Sequence, residues 1–266
     1  MISDLVLIGC GHMGSAMLVP WLEKKAARKI WVIEPNRNPL HEARGATFCA
    51  SARELPTAFD PEVIVVAVKP QGLEQVLADY KKYAGRSLFL TIAAGQKLAT
   101  YEKVLGAETR LVRAMPNLAA KVREAVILLV GGKNASPDDR KRAEYLFSQL
   151  GKTFWVNDED LIDVGTVLSG CGPAYFYLLA HVMAESGAAL GLEPELAQNL
   201  ARQTLIGSAA FAQEATASLE TLYQSVAVKG GMTEAAVTVL QENQGLQNLM
   251  KKALDAAVER GRKLSS

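Results

Sequence analysis

The first half of the chain alternates short apolar runs with stretches in which apolar residues recur at helical spacing. The apolar runs predict strands at residues 5–8, 30–33, 63–68, 87–92, 110–114 and 126–130. The run at 63–68 is unbroken and mostly β-branched, which is typical of a strand buried on both faces of a sheet. Strands that alternate with helices in this way predict βαβ units and a parallel sheet.

The pattern changes after Trp155, where a polar stretch at 157–160 interrupts the alternation. The remaining sequence predicts no strand, and it predicts helices at 174–190, 194–213, 219–226, 233–242 and 246–264. We therefore expect an α/β protein with a Rossmann-type, doubly wound sheet over residues 1–156. An all-helical C-terminal domain is expected to follow over residues 157–266.

The helix predicted at 174–190 begins Ala-Tyr-Phe-Tyr-Leu-Leu-Ala and is therefore apolar on more than one face. A helix that is apolar all round must be buried, and a small helical domain has too little interior to cover it. We expect the helical domain to bury this surface by forming a homodimer.

Composition narrows the classes of partner. The 266 residues include 29 Lys and Arg against 28 Asp and Glu, with no basic block, so neither nucleic acid nor an anionic membrane surface is expected as a partner. Cys10, Cys49 and Cys171 lie far apart without a C-x-x-C pair, which favours a reducing compartment and offers no zinc site. With no signal sequence and no membrane-spanning run in view, a cytoplasmic location is expected.

A G-x-G-x-x-G motif lies between the first predicted strand and the first predicted helix, and it consists of Gly9, Cys10, Gly11, His12, Met13 and Gly14. Gly9 allows the tight turn, and Gly11 lets a dinucleotide pyrophosphate approach the backbone. Gly14 lets the helix pack on its strand, and the helix N-terminus points its free N–H groups at the phosphates. Because a strand precedes the motif and a helix follows it, the motif predicts a dinucleotide site.

The end of the second predicted strand bears on the choice of cofactor. Glu34, twenty residues after Gly14, can accept a hydrogen bond from a ribose 2′-hydroxyl, which favours NAD; it can equally be an ordinary charged residue that ends a strand. Asn36 and Arg37 follow at once, and the arginine side chain suits a 2′-phosphate. We favour NADPH as the cofactor, with NADH possible.

Further cofactor contacts are expected where later strands end, because ligands of open parallel sheets bind outside the carboxyl ends of the strands. The positions are Ala67, Val68, Lys69, Pro70, Ala93 and Ala94. Lys69 can alternatively be a solvated loop lysine. The small residues around Ala93 can alternatively serve tight packing alone.

Two glycine-rich stretches interrupt the helical half, at 169–174 and at 229–234. Each opens a predicted helix, whose N-terminal N–H groups and positive dipole end can bind a small carboxylate. The simpler interpretation makes them helix caps, with Thr233 as an N-cap.

The chain resembles pyrroline-5-carboxylate reductase over nearly its whole length. The resemblance is carried by the glycine motif and by residues 67–71, 93–95, 113–117, 159–163, 169–175 and 230–233. Two positions depart from the family pattern: Cys171 stands where a serine is usual, and Val228-Lys229 stand where Ser-Pro is usual. Losing that proline removes a rigid turn just before the substrate loop.

The resemblance implies NAD(P)H-dependent reduction of 1-pyrroline-5-carboxylate to L-proline, the last step of proline biosynthesis, with hydride passing from nicotinamide C4 to imine C5. It also implies dimers that can assemble into a larger ring. The substrate is expected to bind at Gly230, Gly231, Met232, Thr233 and Ser169. The catalytic residue is expected to be Thr233, whose hydroxyl would reach the ring nitrogen or a carboxylate oxygen, and no metal is expected.

Two alternatives remain. A β-hydroxyacid dehydrogenase or imine reductase of the same architecture usually carries a catalytic lysine on the helix after its glycine-rich start, and the apolar helix after residues 169–173 has none. A redox-sensing module that binds NADP without turnover would leave the Gly-Gly-x-Thr element unexplained.

Overall fold

A computed structural model describes residues 2–36, 41, 42 and 44–265. The chain divides into two compact units. The sheet unit comprises Met1–Gly170 and Arg260–Ser266, and the helical unit comprises Cys171–Glu259. The domain boundary predicted at 156/157 lies earlier than this division and stays a prediction.

The sheet unit is built on eight strands in the order β3-β2-β1-β4-β5-β6-β7-β8. They are β1 Ile2–Ile8, β2 Ala27–Ile33, β3 Thr47–Cys49, β4 Val63–Val66, β5 Leu88–Thr91, β6 Arg110–Pro116, β7 Ala125–Gly131 and β8 Gly151–Trp155. The chain runs outward from β1 to β3, returns to β4, and then continues outward on the other side. This is the doubly wound order, and it confirms the predicted Rossmann-type sheet.

The sheet departs from the prediction at three strands. Strands β3 and β8 were not predicted from the sequence, and β7 pairs antiparallel with β6 although a parallel sheet was predicted. The connection from β6 to β7 holds only the 3₁₀ helix Leu118–Val122, which is too short for the crossover helix that a parallel pair needs.

Helices of the sheet unit with described bounds are α1 His12–Glu23, α2 Leu73–Ala78, α3 Leu98–Leu105, α4 Pro137–Phe147 and α5 Asp160–Ser169. Every side chain of β4 is fully buried, which confirms the strand expected to be covered on both faces. Helix α4 begins with a capping box, in which Ser136 and Asp139 each bond the backbone N–H of the other.

Helix α5 was missed because its acidic start resembles a polar loop. The helix packs closely on β7: a Cβ added to Gly165 would lie 2.3 Å from the Leu128 Cδ1 atom. Ile162 of the same helix is fully buried. By its contacts α5 belongs with the sheet, although the sequence groups it with the helical half.

The helical unit contains α6 Gly172–Ala189, α7 Pro194–Glu214, α8 Leu219–Val226, α9 Met232–Gln241 and most of α10 Gly245–Ser265. This confirms the predicted all-helical half. Its buried core is formed by Ala184, Ala197 and Ala201. Large side chains of α6 are exposed instead, including Phe176, Tyr177, Leu178 and Leu179. Such a surface on a helical unit is typical of one that associates with another chain.

Among the described residues, one segment is apolar and long enough to cross a membrane, Asp160–Ala189, with a mean hydropathy of 1.3 over its best window. The expectation that no apolar run approaches this length is therefore wrong. Length and composition alone are weak support for a membrane span, because the core helix of a soluble protein meets the same criteria.

Candidate functional site

The residues expected to bind the cofactor lie at one edge of the sheet. Gly9 follows β1, Ala67 follows β4, and Ala93 lies just beyond β5. These strands are neighbours and parallel, so their carboxyl ends meet. The strand order reverses between β1 and β4, which is where doubly wound sheets open a crevice for a ligand.

The glycine motif has the geometry expected of it. Gly9 has φ +90°, and a Cβ there would lie 2.8 Å from the carbonyl oxygen of Ala67. A Cβ on Gly14 would lie 2.3 Å from the carbonyl oxygen of Gly9, so this position requires glycine for the helix to reach its strand. A Cβ on Gly11 would meet nothing within 4 Å. Protein packing therefore requires Gly9 and Gly14, and it leaves the space over Gly11 open.

Helix α1 begins beside this open space. Its N-cap is Gly11, which provides no side-chain cap, so first-turn N–H groups have no side-chain acceptor. A cavity of about 680 Å³ is lined here by Cys10, Gly11 and His12, together with Ser15, Ala16, Val19, Pro20, Glu23, Lys121 and Arg123. An open cradle at an uncapped helix N-terminus fits the pyrophosphate of a dinucleotide.

Glu34 is hydrogen-bonded to the backbone of the glycine motif. Its Oε2 atom accepts a hydrogen bond from the Cys10 N–H at 3.0 Å, and its Oε1 atom accepts one from the Asn36 N–H at 3.2 Å. Burial and the Glu34 charge together raise the pKa of the Cys10 thiol, which outweighs a lowering by a hydrogen bond with Ser15. The thiol therefore stays neutral. Arg37 lies outside the described residues.

The remaining cofactor candidates differ in exposure. Lys69 is exposed and has no ion-pair partner among the described residues, whereas Val68 and Pro70 are half-buried. Ala93 is buried and Ala94 is exposed. Beneath them, Thr91 bonds the hydroxyl of Tyr101, and burial raises the pKa of that phenol to about 12.

The Gly-Gly-x-Thr element forms the start of α9. Gly230 has φ +77°, and Gly231 is the extended N-cap, so the interpretation of Thr233 as N-cap is wrong. The Gly230 N–H donates to Glu234 Oε2 at 2.6 Å, and the Gly231 N–H donates to the Val228 carbonyl at 3.0 Å. Those two N–H groups are therefore engaged within the loop. Among the described residues, the N–H groups of Met232 and Thr233 and the Thr233 hydroxyl have no hydrogen-bond partner.

The other glycine-rich stretch is less open than expected. Gly170 and Cys171 keep right-handed helical dihedral angles, so no extended cap residue opens α6. Ser169 ends α5, and its hydroxyl donates to the Gly165 carbonyl at 3.0 Å.

Arg113 belongs to one of the motifs that carry the family resemblance, but no role was predicted for it. The structure shows a guanidinium that is 1% exposed on β6 and donates to Glu159 at 3.0 Å and to Asp163 at 2.7 Å. The sequence did contain a sign of these ion pairs, since an arginine inside a predicted strand of the sheet needs anionic partners when it is buried. The described residues contain no group of His, Cys, Asp and Glu suited to a metal ion.

Family models match each half of the chain separately. Residues 159–264 match the family model described as pyrroline-5-carboxylate reductase dimerisation. Residues 4–95 match the model described as NADP oxidoreductase coenzyme F420-dependent.

Individual relatives cover the whole chain. Pyrroline-5-carboxylate reductase of Methanosarcina acetivorans is 34% identical over 97% of this chain and 96% of its own. The structure of such an enzyme from Coxiella burnetii superimposes with a TM-score of 0.92, at 33% identity and full coverage of both chains. The Plasmodium falciparum enzyme, solved with NADP bound, gives 0.82 at 28% identity, covering 100% of this chain and 98% of its own.

A glycine loop at the crevice of a doubly wound sheet, followed by a helical dimerisation region, defines a dinucleotide-dependent oxidoreductase. Within that class, the chain belongs to the pyrroline-5-carboxylate reductase family. It is an oxidoreductase that reduces 1-pyrroline-5-carboxylate to proline, which removes the hydroxyacid dehydrogenase and redox-sensor alternatives.

Proposed function

We propose that this reductase uses NADPH in preference to NADH and holds the substrate carboxylate at the first turn of α9. The observation that carries the substrate site is the group of unengaged donors there: the N–H groups of Met232 and Thr233 and the Thr233 hydroxyl. A helix N-terminus with free N–H groups attracts a carboxylate. Gly230 and Gly231 shape the loop, since their own N–H groups are engaged within it.

The cofactor preference is supported at the end of β2. The Glu34 carboxylate already accepts hydrogen bonds from two backbone N–H groups, so a ribose 2′-hydroxyl would have to compete for it. Asn36 and Arg37 add a neutral donor and a cation suited to a 2′-phosphate. The matched model over residues 4–95 is that of an NADP oxidoreductase, and the Plasmodium relative was solved with NADP.

When bound, reduced nicotinamide supplies the hydride that reduces C5 of the cyclic imine, and the protein supplies binding and orientation. Met232 and Thr233 hold the carboxylate, and the Thr233 hydroxyl donates to a carboxylate oxygen or contacts the ring nitrogen. No histidine is placed as an obvious acid. His12 is exposed in the glycine motif, His41 bonds Ser15, and His181 lies 3.5 Å from Glu185 on an exposed face of α6. Catalysis then depends on accepting the protonated imine and positioning it.

The assembly proposed for the working enzyme is a homodimer, or a larger ring of dimers, in the cytoplasm. Its support is the exposed apolar surface of α6 on a unit that matches a dimerisation model. Nucleic acid and membrane are not proposed as partners, since the charges of the chain nearly balance.

The test is to follow oxidation of NADPH and of NADH separately with 1-pyrroline-5-carboxylate as acceptor, and to follow reduction of NADP by a panel of hydroxyacids as comparison. We expect turnover of the imine alone, with kcat/KM for NADPH at least about tenfold above that for NADH, the value of one charge-assisted phosphate contact. Equal or reversed cofactor preference would contradict the NADPH proposal. Rapid oxidation of a hydroxyacid by NADP would contradict the proposed substrate site.

A further inference from the structure

Asn117 lies directly after β6, at the sheet edge where the cofactor candidates meet. Its side chain is nearly buried, with 7% exposed, and both ends of its amide are used. The Nδ2 atom donates to the backbone carbonyl of Ser169 at 2.8 Å, and the Oδ1 atom accepts from the Val126 N–H at 3.3 Å. A buried amide satisfied on both sides is fixed in orientation.

The carbonyl that Asn117 binds belongs to the last residue of α5. Carbonyls in the last turn of a helix have no partner within the helix, so this contact supplies one from outside. The opposite end of α5 is held by the two ion pairs of Arg113 to Glu159 and Asp163. Positions 113 and 117 lie about 13 Å apart along an extended chain, close to the roughly 15 Å length of a ten-residue helix. Helix α5 is therefore clamped to β6 at both ends.

We propose that Asn117 is a positioning residue of the reductase, because it fixes Ser169 at the carboxyl edge of the sheet, beside the strand ends expected to bind the cofactor. This inference rests on the proposed function and on the expectation, carried by the family resemblance, that Ser169 binds the substrate. The Ser169 hydroxyl donates to Gly165, so its oxygen remains able to accept a hydrogen bond. The N–H of a protonated imine ring is a donor of that kind.

The test compares N117D with a matched control elsewhere in the sheet unit. Aspartate keeps an acceptor for Val126 but cannot donate to the Ser169 carbonyl. Asn134 is the control because its Nδ2 atom likewise donates to a backbone carbonyl, that of Ala107 at 2.6 Å, before the amino end of β6. Thermal stability, NADPH affinity by fluorescence titration, and kcat and KM for the imine are measured for wild type, N117D, N134D, S169A and the N117D/S169A double variant.

We expect N117D to raise KM for the imine about five- to tenfold with NADPH affinity unchanged, while N134D changes only thermal stability. The double variant should be no worse than S169A, because Asn117 acts through Ser169. The proposal is overturned if N117D behaves like N134D, or if the losses of N117D and S169A multiply. Should N117D fail to fold, N117S, which removes the long donor without adding charge, is measured in the same way. Wild-type kinetics for S169A alone would show instead that the substrate contact assigned to Ser169 is wrong.

Discussion

The Glu34 carboxylate accepts a hydrogen bond from the Cys10 N–H at 3.0 Å and thereby joins the end of β2 to the glycine loop after β1. The same carboxylate accepts from Asn36, the first of the residues expected to face the cofactor's 2′ position. One side chain therefore connects the glycine loop proposed to bind the pyrophosphate to the region proposed to distinguish NADPH from NADH.

Replacing this charge should change the cofactor preference. In E34Q, the amide oxygen can keep one of the two hydrogen bonds, while repulsion of a 2′-phosphate is removed. We expect KM for NADPH to fall about two- to fivefold while KM for NADH changes by less than about twofold, because the carboxylate is already engaged by backbone N–H groups. Steady-state kinetics with each cofactor measure this.

The control for Glu34 is E108Q, which removes an exposed charge in the turn before β6, at the amino ends of the parallel strands. The E108Q substitution should leave the KM values for NADPH and for NADH unchanged. Equal changes for NADPH and NADH in E34Q would show that Glu34 supports the loop without reading the 2′ position.

Substitutions of Gly11 and Gly14 should distinguish an effect on cofactor binding from an effect on protein packing. In G11A the new Cβ meets no protein atom within 4 Å, so stability should be kept while the methyl group intrudes on the pyrophosphate. We expect NADPH to bind at least about tenfold more weakly, with the melting temperature unchanged. In G14A the Cβ falls 2.3 Å from a backbone oxygen, so the protein itself should lose about 1–3 kcal/mol of stability.

Fluorescence titration of NADPH and thermal unfolding distinguish the two glycine variants. Normal NADPH affinity in G11A would mean that the pyrophosphate binds elsewhere.

The sequence predicted those parts of the fold that are determined locally. The strand run at 63–68 and the glycine motif could be identified because burial on both faces and a positive φ each select particular residue types. Strand β3, with three residues, is too short to show a period. The direction of β7 is not encoded in its apolar pattern at all, since parallel and antiparallel strands bury the same side chains.

The site was predicted only in part for a related reason. Arg113 binds acids 46 and 50 residues away, and Asn117 binds a carbonyl 52 residues away. No local pattern in the sequence specifies such partners. The engaged N–H groups of Gly230 and Gly231 likewise depend on a loop conformation that no local pattern specifies.

Glu62 should make stability depend on pH. Its carboxylate accepts hydrogen bonds from the Ser3 N–H at 2.9 Å and from the Arg142 Nε atom at 2.6 Å, which joins β1 and α4 at the start of β4. Burial raises the pKa of Glu62, but these hydrogen bonds and the Arg142 charge outweigh it, so the pKa lies below its ordinary value. The depressed pKa means that the stabilisation is complete above the unfolded-state value and is lost as the pH falls through the folded-state value.

We therefore expect E62Q to be less stable than wild type by about 1–2 kcal/mol at neutral pH, with the difference shrinking as the pH falls below the ordinary glutamate pKa. Urea unfolding at a series of pH values measures it. E108Q serves again as control, because Glu108 has no ion-pair partner among the described residues. Its free energy of unfolding should differ from that of wild type by close to zero at every pH. If the difference in free energy of unfolding between wild type and E62Q is constant with pH, the stabilisation by Glu62 does not depend on its charge.

Thr233 and Thr238 lie on the same helix and differ in what their hydroxyls do. The Thr238 hydroxyl donates to the Glu234 carbonyl at 2.9 Å, whereas the Thr233 hydroxyl has no partner within the described residues. If Thr233 contacts the substrate, T233A should lower kcat/KM for the imine about ten- to a hundredfold, the value of one or two strong hydrogen bonds.

T233S, which keeps the hydroxyl, should recover most of that loss. T238A should leave the kinetics unchanged, because its hydroxyl is engaged by the helix backbone. NADPH affinity should be the same in all of these variants, since the loss arises at the imine; wild-type turnover in T233A would remove Thr233 from the site.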